Sequence, residues 1–122
     1  MAGASLRPTG MLPWVLQRVT GVLLALWVAT HFVFWHFLQS GAQLSFAVVS
    51  ARALTTGTGG YVWDMILAGL CLYHGLNGVR NIVYDYNPPR DRIYWLTPAL
   101  WAVGVVLFVA IGYHLAQFKL AT

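Results

Sequence analysis

Charge is what this chain has least of. Only 8% of its 122 residues are charged, against roughly 25% in soluble globular domains. So short a chain with so few charges has too little polar surface to face water, which excludes a soluble domain and leaves one membrane unit over residues 1–122. Acidic residues are scarcest: three against seven basic ones, for a formal charge of +4. In a soluble protein that excess would point to nucleic acid. Here the basic residues lie at the ends of apolar runs, so membrane topology explains them and no nucleic-acid partner is expected. The single cysteine, Cys71, excludes an internal disulfide, a Cys-rich metal site and an iron–sulfur cluster held by this chain alone. Cys71 lies within an apolar stretch and reads as packing. No glycine fingerprint of a flavin or nucleotide site is present. Residues 1–10 have no apolar core, so no signal peptide is expected. No internal repeat or low-complexity tract is visible.

What the chain has instead is apolar length. Hydrophobic residues make up 59%, and three stretches, about 12–38, 61–83 and 94–118, exceed the roughly 20 residues a helix needs to cross a bilayer. The fold class is an all-α membrane protein with three transmembrane helices. Pro13 and Pro98 suit first helical turns, where a missing N–H costs nothing. Asn87-Pro88-Pro89 ends the second helix, because a residue before proline is pushed out of the α region. Residues 39–60 read as a connection that closes in a flexible loop, Thr55-Thr56-Gly57-Thr58-Gly59-Gly60, with a short surface helix over 44–54. Residues 84–93 read as a short polar connection. Arg7, Arg18, Arg80, Arg90 and Arg92 gather on one side, and only Arg52 and Lys119 on the other. The positive-inside rule then puts the N-terminus and the 84–93 loop in the cytoplasm, or in the compartment equivalent to it, and the C-terminus outside; the membrane expected is a bacterial or archaeal plasma membrane.

The second stretch carries the chemistry. His74, Gly78, Asn81 and Asp85 are spaced i, i+4, i+7 and i+11 and share one helical stripe. An ionisable side chain at mid-membrane marks a cofactor ligand, a proton path or an ion path, or else a structural hydrogen bond between helices. From spacing alone the cofactor and structural alternatives stand level. Gly75 and Gly78 weaken the helix by about 1 kcal/mol each in water. In a membrane they allow close approach of another helix, or of a flat macrocycle. Tyr86 taken alone would be an interfacial aromatic anchor. Arg18, a turn or more inside the first stretch, is costly unless paired or snorkelling.

His74, followed eleven and twelve residues later by Asp85-Tyr86 with Gly78 between, resembles the second helix of the D-type small anchor subunit, cytochrome b-556, of succinate dehydrogenase (succinate:quinone oxidoreductase). Gln17-Arg18-Val19-Thr20-Gly21 is similar to the Arg-x-Thr/Ser-Gly pattern of the same anchors. The likeness covers the three-span layout and is motif-specific over residues 17–31 and 74–86. It implies half of a two-subunit anchor bundle: a second cytochrome b anchor subunit as partner, an iron–sulfur subunit and a flavoprotein subunit above, and membrane lipid around. It implies haem b and, as substrate, quinone. Carried over by residue, His74 would be an axial ligand of haem iron, the second coming from the partner. Tyr86 would hydrogen-bond a quinone carbonyl, Asp85 would organise that site, and Arg18 would bind a haem propionate or border the quinone pocket. Arg80 could do the same.

His31 follows Arg18 by about 20 Å along a helix, at a different depth from His74, so the two do not suit one haem. Anchors of the two-haem class are similar in carrying one histidine late in helix one and another in helix two. His31 is then a candidate ligand of a second haem, flanked by Trp27 and Trp35, and both one and two haems remain open. His36 and His114, at span ends, are weaker candidates. Competing functions are a fumarate reductase anchor and a structural membrane subunit without haem. A proton channel is disfavoured, since Asp64 and Asp85 sit at opposite edges of the second span with no carboxylate between. The chain contributes no succinate site and no catalytic residue of its own.

Overall fold

The computed structural model describes residues 11–33, 37, 45–86 and 93–119. Most of these residues are helical, in three elements: α1 (Met11–Val33), α2 (Phe46–Asp85) and α3 (Leu96–Lys119). Pro13 and Pro98 each lie in the first turn of their helix, where proline removes no ladder bond. The N–H of Ala99 donates to the carbonyl of Trp95 at 3.0 Å, tying the start of α3 to the turn before it. Arg7, Trp35, His36, residues 87–89, Arg90 and Arg92 lie outside the described residues, as do the end expected for the first span and the tip of the 84–93 connection.

The Thr/Gly segment 55–60 departs from expectation. It is not a loop but part of α2, which is helical from Phe46 to Asp85 except at Gly57 (φ 48°, ψ −142°). The segment contains no proline, so every N–H can continue the helical ladder. One residue absorbs the bend, in a region that essentially only glycine occupies. The short helix expected at 44–54 is thus the first arm of α2, described from Phe46 onward. The second arm covers about 40 Å at 1.5 Å per residue, more than the roughly 30 Å of a hydrocarbon core.

Among the described residues, two helices are both long and apolar enough to cross a membrane, Met11–Val33 and Leu96–Gln117. The second arm of α2 has the length but spends positions on His74, Asn77, Arg80 and Asn81. It lies against both other helices, so these polar groups need not face lipid. Trp27 of α1 and Trp63 of α2 are in ring contact, with centroids 3.8 Å apart.

Polarity is distributed inside out. No apolar side chain among the described residues is buried, while two polar ones are: Thr20 at 6% exposure and Asn77 at 8%. Leu26, Trp101, Val106 and Val109 are all more than half exposed. A helix apolar on its outer face needs lipid or an apolar partner there, and small or polar residues then make the helix–helix contacts.

Candidate functional site

The two buried polar residues lie on a seam where α1 meets α2. Gln17, Thr20 and Gly21 occupy i, i+3 and i+4 on α1; His74, Asn77 and Gly78 occupy i, i+3 and i+4 on α2. That spacing places each trio on one helical face. The faces meet through hydrogen bonds. The Thr20 Oγ1 is 3.1 Å from His74 Nδ1 and donates to the carbonyl of Leu16 at 2.7 Å. The Gln17 Nε2 donates to the carbonyl of His74 at 3.1 Å and lies 3.5 Å from His74 Nε2. The Asn77 Nδ2 donates to Gln17 Oε1 at 2.7 Å and, at 3.5 Å, to the carbonyl of Pro13. The Arg80 Nη1 donates in turn to Asn77 Oδ1 at 3.5 Å.

Two glycines permit this approach. A Cβ on Gly21 would stand 3.0 Å from His74 Cε1, so the imidazole lies directly against the backbone of α1. A Cβ on Gly78 would stand 3.4 Å from Gln17 Nε2. Gly75 faces open space.

The remaining sequence candidates fall elsewhere. Arg18 is exposed and turns onto Trp14, its guanidinium 3.5 Å from the ring centroid and its Nη1 3.4 Å from the Trp14 carbonyl. His31 is exposed on α1, about 15 Å along the helix from Gly21. His114 is exposed on α3. Asp85 closes α2 and Tyr86 follows it, 85% exposed; with Ile82 they line a shallow open depression, about 16 Å along the axis from His74. Cys71 is exposed on α2. Arg80 sits 5.5 Å from the Tyr84 ring. Its Nε, like the Oδ1 of Asn81, is buried with no hydrogen-bond partner among the described residues.

The contact of α2 with α3 is of another kind. It holds an apolar groove of about 470 Å³ running from Gly69 and Phe108 to Arg80 and Thr97. A cross-helix hydrogen bond lies at one end, between the hydroxyls of Tyr84 and Thr97 at 3.4 Å.

Sequence reasoning found His74 but gave no role to Gln17, Thr20, Gly21 or Asn77. The signal was present in the matching i, i+3, i+4 trios. A single-helix stripe drawn from His74 through Gly78 passes Asn77 by, because the facing helix spreads its contacts over both i+3 and i+4.

Apolar outer faces around a polar interhelical seam define an integral membrane subunit. The chain belongs to the succinate dehydrogenase/fumarate reductase transmembrane subunit family, which it matches over residues 4–112. Family membership places it in a complex with other subunits of such an enzyme. No curated protein and no solved structure matches the chain significantly.

Proposed function

We propose that this chain is the small membrane-anchor subunit of succinate dehydrogenase, pairing with a second cytochrome b anchor subunit beneath the iron–sulfur and flavoprotein subunits. On this proposal His74 is one axial ligand of a haem b, and Asp85 and Tyr86 belong to the edge where quinone is reduced. The supporting observation is the seam: an imidazole set between two membrane helices and engaged at both ring nitrogens, in a chain of this family.

The donor set fits haem. Among the described residues no three His, Cys, Asp or Glu side chains gather to hold a bare metal ion. A porphyrin brings its own four nitrogens and asks the protein only for axial ligands, so one histidine per subunit suffices. His74 would supply that ligand from its neutral form. Gln17 would have to yield, since its amide nitrogen faces Nε2; at 3.5 Å that contact is at the outer limit of a hydrogen bond and costs little to break. When bound, haem supplies a one-electron relay beside the quinone site. The chain's own residues would hold the ligand ring between α1 and α2 and present Asp85 and Tyr86 at the helix end, where a two-electron quinone reduction draws two protons from water. On the same proposal Arg18, exposed on α1, would meet a propionate or a quinone from outside the seam. The same proposal puts the N-terminus in the cytoplasm, on the side where the basic residues gather.

The test is the haem-to-flavin ratio of the purified complex, from a reduced-minus-oxidised spectrum. His74→Ala is expected to remove one haem per flavin. An intact haem spectrum in His74→Ala would instead favour a structural subunit or ligands from other chains. The wild-type ratio also decides His31: two haems give it a ligand role, and one removes it. Succinate-to-quinone against quinol-to-fumarate rates of the complex separate the dehydrogenase from a fumarate reductase.

A further inference from the structure

The hydrogen bonds of the α1–α2 seam have a fixed direction, and that direction sets the protonation of His74. Both ends are anchored by groups with one possible role. The Arg80 guanidinium only donates, so the atom of Asn77 facing it is the carbonyl oxygen. The other Asn77 atom is then the amide nitrogen, which agrees with its position toward the carbonyl of Pro13. It donates to Gln17 and so meets Gln17 Oε1, at 2.7 Å. The amide nitrogen of Gln17 is left to face His74, and it meets the backbone carbonyl there, an acceptor only. Flipping either amide would set acceptor against acceptor at Pro13 or His74.

Two contacts on the imidazole then agree. Nε2 faces the N–H₂ of Gln17, a donor, and so carries the lone pair. Nδ1 faces Thr20 Oγ1, whose single proton is committed to the Leu16 carbonyl at 2.7 Å. The hydroxyl oxygen is free to accept, and Nδ1 carries the hydrogen.

We infer that Thr20 is a positioning residue: by accepting the Nδ1–H of His74 it fixes the tautomer whose lone pair is on Nε2, making Nε2 the iron-binding nitrogen. This inference rests on the haem role proposed for His74. Gly21 completes the arrangement, since the ring reaches Thr20 only by lying against a backbone with no side chain. A hydrogen bond from the distal ring nitrogen raises the basicity of the ligating one and fixes ring orientation. A more basic ligand favours ferric over ferrous iron, so Thr20 lowers the potential of the haem.

The test uses the assembled complex with Thr20→Val, which keeps the shape and loses the acceptor, and Thr20→Ser, which keeps the acceptor. Haem midpoint potential and ferric low-spin g-values are measured together with haem per flavin. Thr20→Val is expected to retain haem and to weaken the preference for ferric iron threefold to tenfold, a rise of about 30–60 mV at 59 mV per tenfold for one electron. Thr20→Ser is expected to restore the wild-type potential and g-values. Loss of haem in Thr20→Val that serine restores also supports the role of the hydroxyl; loss that serine does not restore assigns Thr20 to packing and overturns it. Haem present in Thr20→Val with unchanged potential and g-values overturns the inference while leaving His74 a ligand. Haem retained in His74→Ala overturns the ligand role itself, so the two failures are distinct.

Discussion

The two faces of α2 solve helix packing in opposite ways. Toward α1 it presents His74, Asn77 and Gly78 and is joined by side-chain hydrogen bonds. Toward α3 it presents Leu72, Leu76 and Gly69 around an apolar groove of about 470 Å³. In a lipid environment apolar contact gives little net drive, because lipid tails are as apolar as leucine. Hydrogen bonds between helices give more, and they give direction as well. The polar seam is therefore where position is specified, and the apolar seam is where movement is tolerated. The ligand role proposed for His74 falls in the first.

Substitutions that tell the seams apart make the contrast measurable, with unfolding of the complex in detergent as the readout. Asn77→Leu has the largest expected effect. It removes bonds to Gln17, Pro13 and Arg80 together, and at roughly 0.6–1.7 kcal/mol for an interhelical bond in a membrane it lowers stability by about 2 kcal/mol. Equal stability would mean that the seam is held by shape alone. The glycines come next, as a pair with opposite expectations. A Cβ at Gly104 would stand 2.9 Å from Leu76 Cδ1, closer than the 3.0 Å between a Cβ at Gly21 and His74 Cε1. Distance alone ranks Gly104→Ala as the more damaging. Freedom to move reverses the order: Leu76 lines the groove and can swing into it, while the imidazole is engaged at both nitrogens. Gly21→Ala is expected to cost about 1 kcal/mol, as overpacking at a fixed neighbour does. Gly104→Ala should cost less than about 0.5 kcal/mol, as a small change with room to relax does. The reverse ranking would show that the α2–α3 seam is the rigid one.

Much of this was legible in the sequence, and what was not has a physical reason. Low charge and apolar runs located α1 and α3, because length and hydropathy are properties of a single helix. His74 stood out because an ionisable group in an apolar run is costly. The Thr/Gly segment misled because its composition matches loops, while a helix without proline can run through such residues and bend at Gly57 alone. Gln17, Thr20 and Asn77 were hidden for a different reason. Each is an ordinary polar residue on its own helix, and its role exists only in the pairing of α1 with α2. Such pairing depends on which faces meet, and a stripe drawn along one chain segment does not contain that. Asp85 and Tyr86 sit at an exposed end of α2 and share a shallow depression with Ile82, so the helix pairing that exposes the role of Gln17 and Asn77 adds nothing to theirs.

The α1–α2 seam is one connected network rather than a set of separate contacts. A double-mutant cycle of Gln17→Leu and Asn77→Leu tests this most directly, because the two side chains are joined at 2.7 Å and lead outward to different partners, Gln17 to His74 and Asn77 to Arg80. A coupling of about 0.6–1.7 kcal/mol, the double variant losing less than the sum of the singles, is the predicted result. Additivity to within about 0.3 kcal/mol would contradict it and reduce the seam to independent bonds around His74.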